Sequence, residues 1–270
     1  MGYFTGKVAV VTGAASGIGR GTCEALSAEG AIVYAADIEG AEIDALAQAA
    51  AGAGEIRRVV LDVTKEGDFA RIIGEVSEEH GQLDLMVNNA GIGVVGDFRR
   101  IQLDDIRSAV DVNLWGVVYG TKAAYEVMAA QGHGHIVNIA SSAGVMPVPM
   151  QTTYAMTKHA VVGLSRSLRL EAAVYGVSVS AVLPGLVRSA FFTSAKVVGE
   201  YDYQREMESL PIQAISARRA GEHILAGIRA NRELIVFPTS NRLILFLFRH
   251  FPGLMTPLLA RATLSSLARD

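Results

Sequence analysis

The sequence predicts a doubly wound, parallel α/β sheet of about seven strands with helices on both faces. Three observations predict it. Short, nearly continuous apolar runs alternate with longer amphipathic stretches from the N-terminus to about residue 185, as strands buried on both faces and joined by helices require. A glycine-rich turn follows the first apolar run at once. Half of the 270 residues are apolar and 19% are charged, ample material to cover a sheet on both sides.

Residues 7–12 (KVAVVT) read as the first buried strand, 17–29 as the first helix, and 31–37 (AIVYAAD) as the second strand, ended by an acid. Strands three and four fall at 57–62 and 83–88, each after a helical segment with glycine near its end. Residues 135–140 and 177–183 give the fifth and sixth, and Leu234–Phe237 (LIVF) adds a seventh. Right-handed crossovers favour the doubly wound topology. No repeat, low-complexity segment or linker interrupts the run, so residues 1–240 are read as one domain.

Residues 241–270 are read as an amphipathic extension. Leu243, Ile244, Leu247, Phe248, Phe251, Leu254, Met255, Leu258 and Leu259 recur at three- and four-residue spacing, punctuated by Arg242, Arg249, Arg261 and Arg269. Pro252 and Pro257 are expected to break the stripe into pieces. Its apolar run at 243–248 is far shorter than the roughly 20 residues that span a bilayer. Three readings stand: a lid or arm packed on the domain or a neighbouring subunit, a helix lying on a membrane surface, or a completion of the core.

The formal net charge of −3 and the lack of a basic stripe argue against a nucleic-acid partner. No charged segment precedes an apolar one at the N-terminus, so no secretory leader is expected. Cys23, the single cysteine, fits a reducing cytoplasm, the expected location. His133 and His135 flank Gly134 without acidic or third imidazole company, and read as a polar turn rather than a metal site.

The turn after the first strand reads Thr12-Gly13-Ala14-Ala15-Ser16-Gly17-Ile18-Gly19. Glycines 13, 17 and 19 remove side chains where backbone must approach a pyrophosphate and where helix must pack on strand. The helix that follows aims free N–H groups and its positive end at phosphates. The GxxxGxG spacing admits an ordinary glycine turn, but its place after a strand and before a helix favours a Rossmann-type dinucleotide-binding loop. Asp37 ends the second strand, where a carboxylate accepts hydrogen bonds from ribose hydroxyls and repels a 2′-phosphate. Neither Ser16 nor Ala36 is basic. Both facts favour NAD over NADP. Asp37 is equally placed to cap a helix beginning near Glu39.

Tyr154 and Lys158 stand four residues apart, on one face if the stretch is helical. A phenol of pKa near 10 is a poor base, but a nearby ammonium and an oxidised nicotinamide both favour the phenolate. Pro147 and Pro149 punctuate the apolar segment 145–150, which is expected to line the substrate pocket with Phe191 and Phe192. Trp115 reads as packing within a helix or at a subunit contact.

Over residues 5–190 the sequence resembles the short-chain dehydrogenase/reductase family. The motifs are TGAASGIG at 12–19, Asp62-Val63, NNAG at 88–91, Asn113 in VNLWG, Ser141 in SSAG, YAMTK at 154–158 and PGLVRS at 184–189, in the family's order. The resemblance implies Tyr154 as general acid/base, Lys158 lowering its pKa and binding the nicotinamide ribose, and Ser141 holding the substrate oxygen. Ser141 rather than Ser142 lies 13 residues before the tyrosine and heads the SxxG spacing to Gly144. Asn113 is implied to hold a water in a proton relay to Lys158. Asp62 and Val63 are implied at the adenine, Asn89, Ala90 and Gly91 at the adenosine ribose, Val187 at the carboxamide. Pro184 and Gly185 shape that turn, and Ser16, Ile18 and Ser189 complete the cofactor set. The implied activity is hydride transfer between NAD and an apolar secondary alcohol or ketone, steroid-like, lipid-derived or cyclic, by a homodimer or homotetramer. A sugar-nucleotide epimerase or dehydratase, and a non-catalytic NAD-binding regulator, are the competing readings.

Overall fold

A computed structural model describes residues 2–38, 40–49, 53–200, 203, 205 and 214–267. Glu39 and Arg269 lie outside the described residues.

The chain opens with β1 (Val8–Thr12), α1 (Gly17–Ala28), β2 (Ile32–Asp37), α2 (Gly40–Ala49) and β3 (Glu55–Val60). It continues through α3 (Glu66–His80), β4 (Leu85–Asn88), β5 (Val94–Gly96) and α4 (Leu103–Val110). A wide, π-type turn over Asp111–Trp115 leads into α5 (Gly116–Gln131), then β6 (Gly134–Ile139) and α6 (Thr152–Ala172). The remaining elements are β7 (Val177–Pro184), α7 (Phe191–Ser194), β8 (Lys196–Val198), α8 (Ala217–Arg229), β9 (Leu234–Phe237), α9 (Thr239–His250) and α10 (Pro252–Leu267).

Seven strands form one parallel sheet in the order β3-β2-β1-β4-β6-β7-β9. This is the expected doubly wound sheet: the order reverses beside β1, so the carboxyl ends of β1 and β4 open a crevice between them. Helices cover both faces because both are apolar. Alternate residues of the strands divide between them: Ala9, Val11, Val33 and Val87 face one core cluster with Leu26 and Ile224, whereas Val8, Val10, Met86 and Ile136 face another with Phe69 and Ile72. On the first face α1 and α8 meet almost backbone to backbone, since a Cβ on Gly21 would lie 2.1 Å from the Ala217 carbonyl oxygen.

Three expectations need correcting. The third strand spans Glu55–Val60, two residues earlier than expected. It is an edge strand with alternating exposure, paired Ile32↔Glu55 through Asp37↔Val60, so it starts on the exposed Glu55 and ends before Leu61 and Asp62. A small second sheet, β5 paired with β8, was not expected from strands only three residues long. Pro257 does not break the terminal helix; it sits inside α10. The hydrogen bond it forfeits is to the carbonyl of Gly253 one turn earlier, an exposed residue near the helix start, which water can satisfy.

His135 lies buried on β6 with Nε2 2.7 Å from the Ser180 hydroxyl. Burial pushes its imidazole from 6.5 down to about 4. Between those values the unfolded chain binds a proton that the folded chain refuses, so stability falls as pH drops through the window. At pH 5 the loss amounts to about 2 kcal/mol. His135→Gln is expected to flatten this dependence in urea unfolding at neutral pH and pH 5; an unchanged pH slope would refute the assignment.

Candidate active site

The residues assigned from sequence to cofactor and catalysis line one cleft of about 750 Å³, with the exception of Gly19 and Asn113. Local structure explains how they converge. β1 ends at Thr12, whose hydroxyl accepts from the Asn89 and Ala90 backbone N–H groups at 3.0 and 3.2 Å. The Asn89 amide in turn donates to the carbonyls of Thr12 and Gly13 at 2.9 and 3.0 Å. The glycine loop is therefore clamped onto the turn after β4. Asn89 thus works through its side chain on the loop. Gly13 and Gly17 have φ of +64° and +53°, backbone that L side chains rarely adopt. Gly19 stands behind the loop, where a Cβ would sit 2.1 Å from the Gly13 carbonyl oxygen.

The first residues of α1, Gly17 and Ile18, face the cleft with their N-cap Ser16. Its first turn carries no acidic residue, so the positive end of the helix is unopposed by its own side chains. Asp37 closes the far side of the loop: its carboxylate accepts from Ala15 N–H at 3.0 Å and Ile38 N–H at 2.8 Å. Asp62 accepts from the Thr64 hydroxyl and backbone N–H at 2.7 and 3.0 Å, bonds that hold its carboxyl below the usual range. A dinucleotide fits this cradle: bare backbone and a helix N-terminus for the phosphates, carboxylates at the sugar end, and a deep apolar end beyond.

At that deep end α6 carries Tyr154 and Lys158 on one face. The Lys158 ammonium lies 5.5 Å from the Tyr154 ring centroid and donates to the Ile139 carbonyl at 2.8 Å. Lys158 is buried, which pushes it down to about 8. Burial pushes the Tyr154 phenol up to about 12, opposed by a hydrogen bond with Ser141. So the ammonium by itself does not bring the phenol below its ordinary value; desolvation outweighs it. The two adjacent serines separate cleanly. Ser141 reaches Tyr154, while Ser142 donates to the Pro184 carbonyl at 2.8 Å and accepts from the Asn241 amide at 2.8 Å.

Asn113 lies in the π-type turn, fully buried. Its amide brackets the Ile92 peptide, accepting from the N–H at 2.7 Å and donating to the C=O at 2.9 Å. Both Asn113 Oδ1 and Lys158 Nζ lie within 3.6 Å of a Cβ built on Gly91, which sets Asn113 close behind the lysine that lines the cleft. Val187 is buried there and bridges to Ile215, and Ser189 packs on Gly17. Met146, Val148, Phe191 and Phe192 line the apolar end, with the Phe191 ring 5.3 Å from that of Tyr154. Trp115 is half exposed and stacks on Tyr119.

Thr12, Tyr203, Asn241 and Ile244 belong to the site but were not singled out as site residues in the sequence. Asn241 left a signal: it is a lone amide at the start of the apolar stripe, one helical turn before Ile244.

The sequence profile of the short chain dehydrogenases matches residues 7–197. The chain belongs to the short-chain dehydrogenase/reductase family. A relative, the oxidoreductase UcpA of Escherichia coli K12, is 36% identical over 229 residues, 84% of this chain and 87% of that one. Among solved structures, a family member from Burkholderia phymatum in complex with NAD superimposes with a TM-score of 0.83 at 26% identity, over 94% of this chain and 97% of that one. Another, from Sphingobium yanoikuyae in complex with NADPH, gives 0.77 at 25% identity, over 93% and 95%. Like its relatives, this short-chain dehydrogenase/reductase is a nicotinamide-dependent oxidoreductase on the family fold. Among the described residues no group of three or more His, Cys, Asp or Glu side chains is placed to hold a metal ion.

Proposed function

We propose that this family member transfers a hydride between NAD and an apolar secondary alcohol or ketone, with Tyr154 as general acid/base. The carrying observation is Tyr154 lining the same cleft as Ser141 and the glycine loop, with the buried Lys158 ammonium 5.5 Å from its ring centroid. A bound nicotinamide dinucleotide supplies the hydride donor or acceptor. Tyr154 gives its proton to the carbonyl oxygen in reduction and takes one from the hydroxyl in oxidation. Ser141 holds that oxygen by a second hydrogen bond. Lys158, fixed by the Ile139 carbonyl, places positive charge beside the phenol as it ionises and reaches the nicotinamide ribose. Asn113 keeps the Ile92 peptide and Lys158 in register, the position from which it holds a relay water. Val187, Pro184 and Gly185 frame the carboxamide.

NAD is the preferred cofactor because Asp37 sets a carboxylate where NADP carries its 2′-phosphate. Asp37→Ala is expected to raise the KM for NAD about tenfold and to narrow the NAD/NADP preference, since a charge-assisted hydrogen bond of roughly 1.5 kcal/mol is lost. Steady-state kinetics with both cofactors check it, and an unchanged preference would remove Asp37 from the assignment.

The apolar end of the cleft, built from Met146, Val148, Phe191, Phe192 and Ile244, supports a steroid-like, lipid-derived or cyclic substrate. The test is a panel of steroids, fatty alcohols and cyclic alcohols followed at the nicotinamide absorbance, with NAD and NADP side by side. Turnover confined to small polar alcohols would overturn the apolar assignment. The chain's single cysteine, Cys23, offers no internal disulfide, which supports action in a reducing cytoplasm. Exposed Met156, Leu170 and Val174 align along α6 and the turn after it, and we assign homo-oligomer contact to that face. Leu170→Arg is expected to lower the mass measured by light scattering; an unchanged mass would move the interface elsewhere.

A further inference from the structure

The outer face of the C-terminal helix pair has no partner among the described residues. On α9, Arg242, Leu243, Phe246, Arg249 and His250 share the exposed side at three- and four-residue spacing. Leu243 is 61% and Phe246 51% exposed. α10 extends the surface with Leu254, Leu258 and Arg261, and Phe251 stands exposed at the joint. The opposite side of α9 carries Asn241, Ile244 and Phe248, turned to the body of the protein. Charge is segregated in the same way. Between Thr239 and Leu267 the sequence has three arginines and no aspartate or glutamate, in a chain of formal net charge −3. The helices meet at a bend of 114°, and among the described residues no single helix is long and apolar enough to cross a membrane.

We propose that this face docks the protein peripherally on an anionic lipid surface. The leucines and phenylalanines enter the boundary between headgroups and acyl chains, and the arginines pair with lipid phosphates. A mixed apolar and basic face is satisfied on both counts only at such a boundary. A second copy of this chain fits the face less well, because a symmetric contact sets arginine against arginine with no acid on either helix to relieve them. The inner side of α9 lends Asn241 and Ile244 to the cleft, so docking brings the apolar end of the site close to the lipid phase. Docking stands apart from the substrate assignment and is read by binding rather than turnover.

The test is sedimentation of the full chain with vesicles of phosphatidylcholine alone and of phosphatidylcholine with phosphatidylglycerol, at low and high salt. The bound fraction is expected to be about tenfold greater on the anionic vesicles and to fall with salt. Leu243→Glu with Phe246→Glu should cut that binding about tenfold or more, with NAD binding and circular dichroism unchanged, as neither residue lines the cleft. Arg249→Gln with Arg261→Gln should reduce it to the level on neutral vesicles. Failure of the unaltered chain to bind anionic vesicles overturns the proposal, and so does undiminished binding by the double glutamate variant. If instead that variant loses a dimer while the unaltered chain ignores vesicles, the face belongs to a second copy.

Discussion

Tyr154→Phe is expected to lower kcat by at least about 10³-fold while leaving NAD affinity within about threefold. The phenol shares the deep end of the cleft with Ser141 and Lys158. Phenylalanine keeps the ring and its contact with Phe191, so only the proton and one hydrogen bond are removed. The cofactor-binding end, from Gly13 to Asp37, is untouched by the change. Stopped-flow turnover and fluorescence titration of the cofactor separate the two effects. Near-normal turnover would sink the acid/base role, and a parallel collapse of NAD binding would make Tyr154 a binding residue instead.

Lys158→Met is the second large effect, and it pairs lost function with undiminished stability. Turnover is expected to fall about 10²- to 10⁴-fold, because the charge that favours the ionising phenol is gone. NAD binding should weaken as well, unlike in Tyr154→Phe, through loss of the ribose contact proposed for Lys158. The ammonium is buried against the Ile139 carbonyl, and its pKa of about 8 records how far burial disfavours the charge. A methionine of similar length relieves that desolvation and keeps the packing, at the expense of one unpaired carbonyl. The melting temperature should therefore hold or rise. A Tm lowered by many degrees would show that Lys158 is structural, and full activity would remove it from the mechanism.

The central sheet was legible because its inner strands are mostly apolar, with their few buried polar side chains, such as His135 and Ser180, paired to one another. β1, β2 and β4 are nearly continuous apolar runs, and β6 and β7 are apolar enough to be read as strands buried on both faces. β3 was displaced by two residues because this edge strand opens on an exposed glutamate, Glu55, while the buried Leu61 beyond its end prolongs the apolar pattern. β5 and β8 were invisible for a different reason: three residues hold no periodicity, and their pairing links positions about a hundred residues apart. The site was legible through its spacings, from the loop glycines to Tyr154 and Lys158. What spacing could not give is which way an amide or hydroxyl turns. Asn89 turns back onto the glycine loop, Asn113 onto the Ile92 peptide, and Ser142 away from Tyr154 towards Asn241. Nor does a sequence show desolvation, which here raises the phenol that the neighbouring ammonium alone would lower.

The most direct test of hydride transfer is the fate of a label. The unaltered protein is incubated with NAD and a cyclic or fatty secondary alcohol deuterated at the carbinol carbon, and the nicotinamide is analysed by mass spectrometry. The account predicts reduced NAD carrying one deuterium and a ketone product without it. Label retained in a rearranged or epimerised product, or an alcohol recovered unchanged across the whole panel, would contradict it.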